Sequence, residues 1–342
     1  MDGTEIAYHR TPAPFAGAPV VVLANGLGGT WQAWRGQMEY LADRCRFLTW
    51  DYRGLFDSAR PSPDTDAAYA VDRHVQDLHA ILAAEGVERA ALVGWSLGVQ
   101  VVLEAFRRVP ARVTSLVLIN GTYGRPLDTL TPLPGAGAVI PPLLDVLRRA
   151  HGVATQVTRR TLGRPEAVTW LKRLGLIGKT LDDAVFAELC SSFARLDLEP
   201  YFRLLKAAGE HDAGRVLGSI NVPALVIAGD RDPMTPRELA QQMARRIPEA
   251  EILVVPGGTH YVPVEYPDSG EPAHRAVLPR ARHRVIAHAA TRSMSPASSA
   301  RSRSDWATKR SASTSPLCQT GLAHSQMRSS PGSSGPAASS RA

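Results

Sequence analysis

Cysteine is scarce in this chain. Only 3 occur in 342 residues, and Cys45, Cys190 and Cys318 lie in separate regions without paired spacing, which argues against a disulfide framework or a zinc site. A reducing compartment fits that usage best. No uninterrupted apolar run reaches the ~18 residues of a membrane-spanning helix. The opening Met1-Asp2-Gly3-Thr4-Glu5 is acidic and has no apolar leader core, so the expectation is a cytoplasmic protein. Acidic residues are missing from one region in particular. Residues 271–342 hold 11 Lys and Arg against 2 Asp and Glu, leaving 28 against 30 before them, so the formal net charge of +7 belongs entirely to this tail. The tail is rich in Ser, Ala, Arg, Pro and Gly and poor in Leu, Ile and Phe, a composition that cannot bury enough surface to fold. It is expected to be a disordered basic extension, free to touch polyanions nonspecifically but offering no specific nucleic-acid site.

The remaining sequence is that of a folded enzyme-sized unit, with 44% hydrophobic and 21% charged residues over the whole chain. Short apolar runs at Glu5–Tyr8, Val20–Leu23, Arg46–Trp50, Ala90–Val93, Val113–Ile119, Ala224–Ala228 and Ile252–Val255 alternate with helical stretches. Such alternation predicts an α/β fold, a mostly parallel, doubly wound sheet with helices on both faces. Between 122 and 213 the pattern changes to helices at Asp145–Ala150, Pro165–Leu174, Leu181–Leu196 and Leu198–Ala208, separated by Pro and Gly breaks. The expected organisation is a core in two parts, 1–121 and 214–270, around a helical insertion at 122–213, followed by the tail at 271–342.

The most informative stretch is Gly94-Trp95-Ser96-Leu97-Gly98, which follows the apolar run ending at Val93 and precedes a helical pattern over Val99–Arg108. A strand that turns this sharply into a helix strains the residue at the turn, and small residues two positions away on each side let the arms pass closely. Ser96 would stand exposed above the sheet, and the Leu97 N–H at the helix N-terminus would suit a developing oxyanion. A serine hydroxyl is a weak nucleophile, so it needs a base to take its proton and a carboxylate to orient that base. Asp230 and Asp232 both follow the run Val222–Gly229, and His260 follows Gly257-Gly258-Thr259 just past Ile252–Val255. Chemistry gathers at the carboxyl ends of parallel strands, so these residues can meet Ser96 despite their separation in sequence.

Taken with Asn25-Gly26-Leu27-Gly28-Gly29 and Asp51-Tyr52-Arg53-Gly54, these motifs resemble the α/β-hydrolase superfamily, of the type that carries a helical cap; the resemblance covers most of residues 1 to about 268. It implies a cap inserted after the sixth family strand and a triad of Ser96, Asp232 and His260, with Asp230 as a turn residue. It also implies a second oxyanion donor at the Leu27 N–H. Three departures stand out: Asn25 replaces a His, Trp95 fills a slot often held by His, and Phe56 lies where Gly is common. Asn25 is expected to orient its loop, and Trp95 to pack under the turn or line the pocket, where it is the one candidate substrate contact.

The nucleophile is serine rather than aspartate, which argues against epoxide opening and halide displacement. The implied activity is a cytoplasmic serine esterase working through an acyl-enzyme on a small-molecule acyl substrate, with no metal or organic cofactor. Thioester or lactone hydrolysis, carbon–carbon bond hydrolysis and haloperoxidase-like perhydrolysis use the same residues. A non-catalytic small-molecule receptor is the alternative of another class. The family's closing C-terminal helix is expected to be replaced here by an altered reading frame or an unrelated extension.

Overall fold

In the computed structural model of the protein the described residues are 2–126, 136–164, 166–178 and 181–266. The tail, Cys318 and the segment where the closing helix is expected to be replaced lie outside them. Seven strands are present, six of them at the expected apolar runs: β1 Tyr8–Arg10, β2 Val20–Ala24, β3 Arg46–Trp50, β4 Ala90–Trp95, β5 Val113–Ile119, β6 Ala224–Gly229 and β7 Glu251–Val255. They make one sheet in the order β1-β3-β2-β4-β5-β6-β7. Only β1 runs antiparallel; every other pairing is parallel. Alternate residues of each strand feed opposite cores, as period-two geometry requires. Val22, Ala24, Leu92, Leu116, Leu118 and Val226 enter one cluster, whereas Val21, Leu23, Ala91, Val93, Val117 and Ile227 enter the other.

The first strand lies later than its apolar pattern suggests. Tyr8 pairs with Trp50 and Arg10 with Leu48, while Glu5 and Ala7 are taken up by the loop after β3, through Ala59 N–H to the Glu5 carbonyl at 2.9 Å and Asp51 N–H to the Ala7 carbonyl at 3.0 Å. In that loop Phe56 adopts φ of +51°, the left-handed conformation that glycine takes at least cost.

Helices α1 Arg35–Tyr40, α2 Val71–Ala84 and α3 Leu97–Arg108 connect the first strands. Between β5 and β6 come α4 Ala136–Arg149, α5 His151–Leu162, α6 Ala167–Arg173, α7 Asp183–Ala194 and α8 Leu198–Glu210. Asp182 caps α7 by accepting from the Ala184 and Val185 amides at 2.9 and 3.2 Å, and Asp197 caps α8 through the Glu199 amide at 3.0 Å. Helix α4 begins nine residues before its expected start and contains Pro141 and Pro142. Helix α5 was not expected at all. Its β-branched, Gly-containing sequence has low helix propensity, and packing against α7 and α8 supplies what propensity does not. Helices α9 Arg237–Arg246 and α10 Val262–Glu265 complete the order. Among the described residues no helix is long and apolar enough to cross a membrane.

Candidate active site

The turn between β4 and α3 depends on close backbone approach. A Cβ on Gly94 would lie 2.5 Å from the Gly98 carbonyl oxygen, and one on Gly98 would lie 2.7 Å from the Ala24 carbonyl carbon. Within this fit Ser96 takes φ of +55° and ψ of −116°, a backbone state that non-glycine residues adopt only when the surroundings hold it. Its amide donates to the Ile119 carbonyl at 2.9 Å. In the run Ala90–Gln100 every other residue is buried and Ser96 alone is partly exposed.

His260 meets this serine, with Nε2 2.9 Å from Ser96 Oγ. On its other side Nδ1 is 2.9 Å from Asp232 Oδ2. An ionised carboxylate can only accept, so Nδ1 of the neutral ring carries the proton and Nε2 is left to accept from the serine hydroxyl. Asp232 also accepts from the Met234 and Thr235 amides at 2.7 and 2.9 Å and from the Thr235 hydroxyl. Burial pushes its carboxyl up, but the hydrogen bond and charge of His260 and the Thr235 bonds outweigh burial and hold it below the usual carboxylate range. Asp230 faces elsewhere and accepts from the Gly257 amide at 2.7 Å, closing the turn.

The histidine loop is clamped from three directions. Asn120, at the end of β5, donates to the Thr259 carbonyl at 2.6 Å and accepts from the Gly229 amide at 3.1 Å. Glu265 accepts from the Thr259 amide at 2.8 Å and from the Thr259 hydroxyl, and it also accepts from the Gly178 amide at 2.6 Å. Trp95 donates from Nε1 to the His260 carbonyl at 2.8 Å. Asn120 and Glu265 were not singled out from sequence. The available signals were a lone Asn at a strand end and a lone acid in the apolar run 262–265.

The loop after β2 carries Leu27. Its amide and that of Leu97 donate no hydrogen bond among the described residues, and both residues line the same cavity as Ser96 and His260. Asn25 is buried, donates to the Trp50 carbonyl at 2.9 Å and accepts from Trp34 Nε1 at 2.7 Å, while its own carbonyl accepts from the Tyr52 hydroxyl at 2.7 Å. It thus orients the loop from below. Trp95 packs against the same loop, since a Cβ on Gly26 would lie 3.0 Å from its ring, and it also borders the cavity.

That cavity measures about 300 Å³ and is roofed by Leu162, Leu171, Phe186, Leu189, Phe193 and Tyr201. Of the large apolar side chains between 122 and 213, Phe186, Phe193 and Tyr201 face it, Leu144 is core, Phe202 packs part-buried against the core, and Leu143, Leu147, Trp170 and Leu174 are exposed. Among the described residues no group of three His, Cys, Asp or Glu side chains is arranged to hold a metal ion.

A profile of the alpha/beta hydrolase family matches residues 21–269. The chain is 30% identical over 249 residues to a protein of Klebsiella pneumoniae (strain 342) described as "Putative carbamate hydrolase RutD", an alignment covering 73% of this chain and 87% of that protein. Among solved structures, a hydrolase from Pseudomonas aeruginosa PA01 superposes with a TM-score of 0.62 at 25% identity, covering 80% of this chain and 94% of that one. The enol-lactonase from Burkholderia xenovorans LB400 superposes with a TM-score of 0.64 at 23% identity, covering 80% and 96%, and shares the fold. With strand order, turn geometry and family profile in agreement, the chain belongs to the alpha/beta hydrolase family.

Proposed function

We propose that the protein is a serine hydrolase acting on a carboxylic ester or a closely related acyl compound. The observation that carries this reading is the continuous relay from Asp232 through His260 to Ser96, with 2.9 Å at each contact, opening into an apolar cavity. His260 takes the Ser96 proton as Oγ attacks the substrate carbonyl, and the Leu27 and Leu97 amides hold the oxyanion. The tetrahedral species collapses as His260 returns the proton to the leaving oxygen, giving an alcohol and an acyl-enzyme. Water, deprotonated by His260, then attacks the acyl group and releases the acid and free Ser96. Helices α4–α8 act as a cap that shapes the acyl pocket. A cavity of about 300 Å³ is at the small end of ligand sites, which favours short to medium acyl groups.

The test is hydrolysis of p-nitrophenyl esters of graded acyl length by the full chain beside Ser96→Ala. Turnover that falls by roughly 10⁴-fold in the variant supports the reading. Turnover retained in Ser96→Ala refutes it.

A further inference from the structure

The cavity above Ser96 contains two phenol hydroxyls that the relay does not use. Tyr201, on α8, and Tyr261, beside His260, both line it, and neither hydroxyl has a hydrogen-bond partner among the described residues. Their rings are fixed by edge-to-face contacts. Tyr201 lies 5.2 Å from Phe193, and Tyr261 lies 4.9 Å from Phe186 and 5.7 Å from Trp95. The other polar side chains around the cavity are already engaged. Gln100 donates to the Gly124 carbonyl at 2.7 Å and to the Thr122 hydroxyl at 3.3 Å, while its oxygen faces His211. The Thr235 hydroxyl is spent on Asp232. No Lys, Arg, Asp or Glu lines the cavity among the described residues.

Both residues are only part-buried, so water meets their hydroxyls while the cavity is free; a bound group that displaces this water must bond them in its place, and a site built to bond a polar substrate group rejects analogues that lack it. Burial pushes the Tyr201 phenol up to about 12, and it raises Tyr261 as well. Both therefore remain protonated donors across the physiological range. A carboxylate on the acyl group would enter this cavity with no cation to meet it, at a large desolvation penalty.

Resting on the serine hydrolase reading above, we infer that the pocket selects an uncharged, largely apolar acyl group carrying a hydrogen-bond acceptor, and that Tyr201 and Tyr261 are the specificity-determining donors to that acceptor. The substrate class is thus a neutral oxo- or alkoxy-acyl ester rather than a plain alkanoate or a dicarboxylate half-ester.

The experiment compares p-nitrophenyl pentanoate, 4-oxopentanoate and hemiglutarate with the wild-type chain, Tyr201→Phe and Tyr261→Phe. The quantity read is the kcat/KM ratio of 4-oxopentanoate to pentanoate within each protein, which cancels any general loss of folded enzyme. The ratio is expected to fall about 3- to 10-fold in at least one variant, mainly through KM, with hemiglutarate the poorest substrate of the wild type. A ratio that moves less than about two-fold in both variants, or a wild-type preference for hemiglutarate, overturns the inference. Ligand-observed NMR titration of Ser96→Ala with ethyl 4-oxopentanoate and ethyl pentanoate, with and without each Tyr→Phe change, tests the same donors without turnover. If no ester is hydrolysed the hydrolase reading fails, whereas equal affinities in the titration refute the donor assignment itself.

Discussion

Glu265 is the most exposing place to perturb this protein. Its side chain is buried and accepts from the Gly178 amide at 2.6 Å, the Thr259 amide at 2.8 Å and the Thr259 hydroxyl. It therefore ties a cap segment to the residue preceding His260. In Glu265→Ala the hydroxyl can rotate to another acceptor, but two backbone N–H groups lose theirs. At ~1–3 kcal/mol for each orphaned donor, partly relieved by water entering the space, the loss is about 3 kcal/mol. For a domain of this size that corresponds to a fall in Tm of roughly 6–12 °C. Thr259 is then freer to move, and a displacement of His260 by a fraction of an ångström lowers kcat ~10- to 100-fold with a smaller change in KM. Glu265→Gln keeps one acceptor oxygen but turns an NH₂ toward a donor, so it is expected to fall between wild type and Glu265→Ala in both quantities. Thermal denaturation together with steady-state kinetics on one p-nitrophenyl ester measures all of this. A Glu265→Ala protein with full kcat and a Tm within about 2 °C of wild type would show that Glu265 does not hold the histidine loop.

Two further outcomes are expected. Gly98→Ala would force a Cβ into the Ala24 carbonyl, 2.7 Å from its carbon, so it should destabilise by ~1–3 kcal/mol or more and, by pushing the loop that carries Leu27 away from Ser96, lower kcat; a chemical-denaturation midpoint equal to wild type would contradict this. Asp232 titrates below the usual carboxylate range in the folded chain. Its contribution to stability is therefore complete above its ordinary value of 3.8 and is lost as pH falls through the lower folded value. The Tm gap between wild type and Asp232→Asn should accordingly be widest near neutral pH and narrow below about pH 4, and a gap that widens in acid would show the sign to be wrong.

Much of the architecture was legible because it rests on local rules. Short apolar runs rich in β-branched and Leu residues identify six of the seven strands, and β3 and β5 have the bounds that their sequence suggests. The glycine spacing around Ser96 signals the strained turn because only residues without a side chain tolerate such close backbone contact. Other features follow no local rule. Helix α5 is built from residues of low helix propensity and owes its form to its neighbours α7 and α8. The first strand lies at Tyr8–Arg10 because the groups before it are taken by the chain after β3: the Ala7 amide donates to the Ser58 hydroxyl and the Glu5 and Ala7 carbonyls accept from Ala59 and Asp51.

That strand ends carry a serine, two aspartates and a histidine is legible in the chain, because periodicity and turn residues are written in consecutive positions. Local pattern leaves Asp230 and Asp232 equivalent and the family resemblance favours Asp232, which is the one the fold brings to His260; that Asn120, Glu265 and Trp95 together hold the histidine loop is visible only in three dimensions. The tertiary structure alone left the Tyr201 and Tyr261 hydroxyls at the cavity wall without a partner. Hydrogen bonds across 28, 139 and 165 residues of sequence have no local signature; they arise when the sheet brings distant strand ends to one edge and burial obliges each polar group to find a partner.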